Sequence, residues 1–223
     1  FIRQFPDFPS LSVAPLAEVL GAWQGLGYNR RGRYLHAIAV RVMEEWGGVL
    51  PPDPSLLVTL PGIGPATAGS IAAFAFNLPV VFIETNIRRT FIHHFFPGDE
   101  PVPDSRITPL VAATLDRDHP REWYYALMDY GTWLAGQVEN PNRRSRHYSR
   151  QSAFEGSDRQ IRGRVLRILL DRISLFPDEL VRNCCEEHAR GIRIVDEMIR
   201  EGLLCEEEGH IRIAGSSAFS SDN

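Results

Sequence analysis

Leu60-Pro61-Gly62-Ile63-Gly64-Pro65-Ala66-Thr67-Ala68, followed closely by Ile83-Glu84-Thr85-Asn86-Ile87-Arg88-Arg89, decides how this chain is read. Two glycines flank one apolar residue, and Pro65 then stands where a helix can begin. Glycine permits positive φ and close backbone approach, and proline suits a first helical turn. The small residues from Ala66 onward extend that helix to about Asn77. A turn of this kind aims unpaired backbone N–H groups outward at a helix N-terminus, a ready seat for a phosphate oxygen. An ordinary tight turn has the same local sequence, so the motif alone leaves both readings open.

Residues 78–83 cross back, and Glu84 falls just before a new helix, for which Thr85 is the expected N-cap. Ile87, Phe91 and Phe95 lie at i, i+4 and i+8 and are expected along its buried face. A carboxylate at such a place is either a capping acid or an anion held ready for chemistry.

Upstream, a helix over 15–23 carries Leu16, Val19, Leu20 and Trp23 on one face, and Gly25-Leu26-Gly27 ends it. Asn29 is expected to cap the next helix, whose apolar set runs from Leu35 to Trp46 and which Gly47-Gly48 closes. Arg30, Arg31 and Arg33 sit in its first turn, where the helix dipole favours acids; a phosphate partner or a solvated basic face would explain them. Downstream, Asp104 is expected to cap a helix to Leu115. Another, over 121–134, turns Trp123, Ala126, Leu127, Tyr130 and Leu134 to the core and leaves Asp129 as its notable polar group.

Past Asn140 the composition changes. Asn140–Arg172 holds nine arginines against three acids, a net +6 inside a chain of net charge −4, which is the local excess phosphate binding requires. Asp158 is expected to cap a helix with Ile161, Val165, Ile168 and Leu169, and two more helices follow. Leu203–Glu206 and His210–Ile213 then alternate around Glu208-Gly209, a hairpin signal. Three helices and a two-stranded wing predict a winged-helix-like module. Its third helix mixes Arg190, Arg193 and Arg200 with five acids, which suits a structural or protein-contacting role better than groove binding. The polar residues 215–223 are expected to be a disordered tail.

All 24 basic residues are arginine, so no side-chain amine can form a Schiff base. The three cysteines, Cys184, Cys185 and Cys205, are too few for a disulfide scaffold and fit a reducing cytoplasm. No apolar run approaches a membrane span, and a start at Phe1 reads as a fragment.

The hairpin stretch with Glu84 and Asn86-Ile87-Arg88-Arg89 resembles the helix-hairpin-helix DNA glycosylases. Gly25-Leu26-Gly27-Tyr28, Arg31-Gly32-Arg33-Tyr34-Leu35-His36 and Ala126-Leu127-Met128-Asp129-Tyr130-Gly131 are similar, in the same order, to the MutY branch, over Phe1 to Leu134. The resemblance implies a mainly α fold: a truncated helix-hairpin-helix glycosylase domain (1–150), then the winged-helix-like domain (151–214). It implies a monofunctional DNA N-glycosylase of base excision repair, releasing a flipped mispaired or damaged base, adenine opposite guanine or 8-oxoguanine first. A non-catalytic DNA-binding protein is the alternative.

Under that resemblance Glu84 is the catalytic carboxylate, where the family normally has Asp. A bifunctional lyase would have lysine at Ala66, and the branch's general-acid glutamate lies upstream of Phe1. Tyr28 is the aromatic that wedges into the base stack. The expected DNA contacts are Tyr28, Arg31, Arg33, Leu60, Gly62, Ile63, Gly64, Ala66, Thr67, Arg143, Arg144 and Arg146; Asn86 and Asp129 are expected to support the site. The family's four-cysteine [4Fe–4S] loop corresponds here to 137–148, which holds no cysteine, so no cluster and no metal is expected. The arginine-rich segment is expected to take its place beside the DNA backbone, with Tyr148 packing the turn and His147 at the surface. The implied partner is double-stranded DNA carrying such a base, bound by a monomer in the nucleoid, with a protein partner possible at the winged-helix-like domain.

Overall fold

The computed structural model describes residues 1–150 and 152–215. In chain order the helices are α1 (Phe8–Ser12), α2 (Leu16–Ala22), α3 (Arg30–Trp46), α4 (Pro54–Leu57), α5 (Pro65–Phe76), α6 (Thr85–Phe95), α7 (Asp104–Thr114) and α8 (Pro120–Leu134). A 3-10 turn at Pro141–Arg144 precedes α9 (Asp158–Arg172), β1 (Ser174–Leu175), α10 (Pro177–Cys184), α11 (His188–Arg200), β2 (Leu204–Glu207) and β3 (His210–Ile213). The tail expected over 215–223 falls outside the described residues from 216 onward. No helix among the described residues is long and apolar enough to cross a membrane.

Packing divides the chain into two compact units: Phe1–Leu50 with Ser152–Asn223, and Pro51–Gln151. This differs from a 1–150/151–214 division in the placement of the first fifty residues. The cause is hydrophobic: Leu16 and Leu20 of α2 are buried in one cluster with Val165, Leu169, Leu180, Ile194, Met198, Leu203 and Ile211.

In the first unit, β1, β3 and β2 form an antiparallel sheet in that order. The β2–β3 register pairs Leu204 with Ile213 and Glu207 with His210. Glu208 and Gly209 both have positive φ (53° and 76°), the conformation a tight two-residue hairpin needs. β1 is a short third strand that periodicity does not reveal, since two residues carry no alternation. Asp158 begins α9 rather than capping it, and Ser157 takes the cap position. Its carboxylate is claimed by Arg193 Nη2 (2.8 Å) and Arg190 Nε (2.8 Å) of α11. These two guanidinium groups, Arg193 first, hold the Asp158 carboxyl below the usual carboxylate range. Asn29, the expected cap of α3, is itself in helical conformation and makes no capping bond.

In the second unit the core is Phe82, Ile87, Phe91, Ile92, Phe96, Val102, Ile107, Val111, Leu115 and Tyr124. The buried face of α6 and its C-cap ends on Phe96, and Phe95 is 49% exposed, contrary to the i+8 expectation. Burial pushes the Tyr124 phenol up to about 12; its hydroxyl donates to Val80 O (2.8 Å) and accepts from Phe82 N (3.4 Å). Tyr124 is therefore the core anchor of α8, whereas Ala126 faces solvent. The α7 N-cap is Pro103, because Asp104 turns its carboxylate to Arg88.

Candidate functional site

The loop between α4 and α5 builds the hairpin. Asp53 caps α4 by accepting from Ser55 N (2.8 Å), and Leu60 N donates to Leu57 O. Leu60 is 2% exposed, so what it can offer a ligand is confined to its backbone. Gly62 has φ +75°, a conformation that favours glycine, and Ile63 N closes the turn on Leu60 O (3.2 Å). Gly64 is the N-cap of α5 and has no side chain to satisfy the first turn; Ala68 N bonds to Gly64 O (2.9 Å). Among the described residues, the N–H groups of Gly62, Gly64, Ala66 and Thr67 donate to no protein acceptor. All four residues are exposed. They form a small concave array of donors at the positive end of a helix, which suits a tetrahedral anion.

From α5 the chain returns through 78–83. Gly69 lets the helix close on Phe82: a Cβ at Gly69 would lie 2.6 Å from Phe82 Cβ. Gly69 contact and the Tyr124 hydroxyl together fix this crossing, and it delivers Glu84 to the start of α6. Glu84, with φ −122° and ψ −176°, is itself the N-cap, a correction to the expectation for Thr85. Its Oε1 accepts from Asn86 N (2.5 Å) and Ile87 N (2.8 Å). Glutamate reaches back far enough to satisfy two orphan donors, which displaces Thr85 from the role. The second carboxylate oxygen has no protein donor among the described residues.

The residues around it divide sharply. Arg88 makes a bidentate pair with Asp104 (2.7 Å for each bond), which holds the Asp104 carboxyl below its ordinary range and raises Arg88. Asn86 Oδ1 accepts from Arg89 Nη1 (2.6 Å), and the same Nη1 donates to Gly131 O (2.6 Å) of α8. The helices meet so closely that a Cβ at Gly131 would lie 2.6 Å from Asn86 O. Asn86 thus serves the α6–α8 contact. Asp129 is exposed, and its side chain makes no hydrogen bond or ion pair among the described residues.

The arginine segment is partly consumed by the protein. Arg144 Nη1 donates to Phe96 O (2.6 Å) just past the end of α6, so part of its guanidinium braces that helix end. Arg143 pairs with Glu139 at the surface, and Arg146 is exposed. Backbone bonds from Val102 N to Arg144 O (2.7 Å) and from Arg146 N to Val102 O (3.3 Å) bind the segment to the loop before α7. Asn142, 5% exposed, donates from Nδ2 to Thr85 O (3.0 Å), one residue after Glu84. Sequence reading missed Asn142 and the Arg88–Asp104 pair. The one local signal was Asn140-Pro141-Asn142, an Asx turn in which Asn140 Oδ1 accepts from Asn142 N (3.1 Å). The residues at this place offer no thiolate to a four-cysteine cluster; the cysteines stand elsewhere, two adjacent in and after α10 and one on β2. Burial pushes the Cys184 thiol up to about 11, which suits packing.

Tyr28, Arg31 and Arg33 belong to the other unit. Tyr28 has φ +50° and is 56% exposed. Arg159 Nη1 donates to its hydroxyl (3.2 Å), and the Arg159 guanidinium stands 5.7 Å from its ring centroid. Arg31 is exposed above the Trp23 ring (5.7 Å). Arg33 donates from Nε to Gly202 O (2.9 Å), which fastens α3 to the turn after α11.

Residues 47–74 match the helix-hairpin-helix motif model. The chain is 30% identical over 233 aligned positions to the adenine DNA glycosylase of Mycolicibacterium smegmatis, covering 96% of this chain and 80% of that protein. It is 31% identical over 202 positions to the adenine DNA glycosylase of Mycobacterium tuberculosis, covering 79% of this chain and 64% of the relative. Among solved structures, a thermostable thymine-DNA glycosylase matches with TM-score 0.51 at 21% identity, over 59% of this chain and 62% of that one. Endonuclease III in a non-covalent DNA complex matches with TM-score 0.50 at 18% identity, over the same shares. These two likenesses establish the fold, that of the helix-hairpin-helix glycosylases, and the sequence relatives establish the kinship. By that kinship the chain belongs to the adenine DNA glycosylase family.

Proposed function

We propose that this chain is the DNA-engaging part of a monofunctional N-glycosylase of base excision repair, and that its substrate is adenine mispaired with guanine or 8-oxoguanine in duplex DNA. The observation that carries the reading is Glu84: a carboxylate fixed by two backbone N–H groups, with its second oxygen open, directly after an anion-binding hairpin. In the reaction the N-glycosidic bond breaks, its electron pair leaves with the protonated base, and positive charge develops at the sugar C1′. A preorganised anion stabilises that charge, and water then adds at C1′ and loses a proton. With no lysine among these residues, none of their side chains can form a Schiff base with the sugar, which supports a reaction that stops at the abasic site. The hairpin amides hold a backbone phosphate, and Tyr28 fills the gap left by the extruded base.

The same reading has the protein working without an iron–sulfur cluster, since 137–148 supplies hydrogen bonds where four thiolates would be needed. It also has the protein acting as a monomer in the nucleoid, with the winged-helix-like module contacting protein rather than DNA. In support of that, Arg190 and Arg193 are already paired with Asp158. Single-turnover base release from duplexes with adenine opposite guanine or 8-oxoguanine, against uracil or thymine opposite guanine, tests the proposal. Adenine release well above the other two is expected. Tight duplex binding with no base released from any of them would make the protein a non-catalytic DNA binder.

A further inference from the structure

Between the start of α6 and the segment that follows the 3-10 turn lies a small polar pocket of about 180 Å³. Thr85, Arg89, Asn142, Ser145, Tyr148 and Ser149 line it. At about 30 Å³ per water this is room for roughly six waters, or for one small ion with part of its hydration.

Its lining is chemically incomplete. Arg89 gives hydrogen bonds only to neutral acceptors, Asn86 Oδ1 and Gly131 O, and no carboxylate lies within ion-pair distance of it among the described residues. Its Nε is buried with no acceptor. Asn142 is 5% exposed, and its Oδ1 is buried with no donor; the orientation of the amide is fixed by the bond from Nδ2 to Thr85 O. Ser145 is 7% exposed and accepts from His147 N (3.0 Å), which leaves its hydroxyl hydrogen to be given away. Buried groups of this kind call for partners. The other charges nearby are matched: Arg88, which also lines the pocket, is bound bidentately by Asp104, and His147 lies 3.9 Å from the same carboxylate. Glu84, next to Thr85 in the chain, is not among the lining residues and has Oε1 spent on its cap. A half-buried guanidinium with no carboxylate partner and a buried Nε, several hydroxyl donors and a single buried acceptor remain.

We propose that this pocket binds hydrogen phosphate. Its anionic oxygens match Arg89 Nε and the hydroxyls of Ser145, Thr85 and Ser149, and its one O–H matches Asn142 Oδ1. Sulfate lacks that O–H at neutral pH, as does a phosphodiester of DNA, so the site discriminates a free phosphate from both. The bound ion joins α6 to the 140–149 segment and completes the polar connection that Asn142 begins. The inference does not depend on which base the protein releases.

The test is thermal unfolding of the 223-residue chain in phosphate, sulfate and chloride at matched ionic strength, with equilibrium dialysis of labelled phosphate beside it. Phosphate about ten-fold above its dissociation constant is expected to raise the midpoint by about 3–6 °C over either control. A single class of phosphate site should appear in dialysis. Ser149→Asp places a carboxylate at an exposed position of the lining, where it leaves the fold intact and should abolish the response. Arg89→Gln should do the same; should that variant fail to fold, Ser149→Asp decides. No response beyond chloride, an equal response to sulfate, or a phosphate response that survives in Ser149→Asp would overturn the proposal.

Discussion

Glu84 and the arginines show how much one residue's neighbours decide. The sequence places Glu84 at a helix start, and it stands there, but the cap itself is read one residue late. The longer glutamate arm reaches Asn86 N and Ile87 N, so Thr85 takes no part in the cap. An arginine's availability is still less visible in sequence, because it depends on acceptors far along the chain. Arg33 gives its Nε–H to a carbonyl at position 202, and Arg144 gives an Nη1–H to the carbonyl of Phe96. Arg31, Arg143 and Arg146 remain exposed. Neutralising Arg143 and Arg146 together is therefore expected to lower the slope of log affinity against log salt by roughly 1–2, at about one phosphate contact each. Arg144→Ala should leave that slope unchanged and instead cost about 1–3 kcal/mol of stability, since it strips a charged donor from a half-buried carbonyl. Salt-dependent duplex binding and denaturant unfolding of the same variants separate the two roles; a slope that falls in Arg144→Ala would reverse the assignment.

At the scale of the element, the hairpin was legible because its chemistry is local. Gly62 must take a positive φ and Pro65 must open a helix, and both requirements are met by the residue itself. The face of α6 was legible only in part: Ile87 and Phe91 are buried, while Phe96, beyond the helix, takes the place expected for Phe95. That exchange occurs where the helix stops: Phe96, its C-cap, packs in one cluster with Ile107 and Val111, and its carbonyl accepts from Arg144. β1 and the 3-10 turn were invisible, being too short to carry a period. The open donors of the hairpin give a direct prediction. Gly64 has φ −89° and open space around its missing Cβ, so Gly64→Val is sterically accommodated by the fold. The valine side chain nonetheless occupies the ground where a phosphate oxygen would sit. Affinity should drop by roughly ten-fold for every duplex sequence alike, a loss on the order of one charged hydrogen bond, with the unfolding midpoint unchanged. A loss confined to one base sequence would contradict phosphate recognition by the backbone.

For the whole molecule, sequence reading yielded the helical class and the winged pattern, yet not the way packing groups them. Leu16 and Leu20 show an ordinary amphipathic face, and nothing in that face says that it is completed by residues from Ile161 to Ile213. Contacts at such separation are set by the folded core alone, whereas Glu84 and the hairpin were found because they lie close together in the chain. The function rests on that local pair, and the assay belongs to the entire protein engaged with its duplex. Glu84→Gln retains a side-chain oxygen for the caps at Asn86 N and Ile87 N and removes the charge. The most direct measurement is single-turnover adenine release by the Glu84→Gln and Glu84→Asp variants, with duplex affinity measured alongside. The account predicts unchanged binding, base release slowed by roughly 10² or more in the Gln variant, and activity retained in the Asp variant. Wild-type release rates in Glu84→Gln would contradict it.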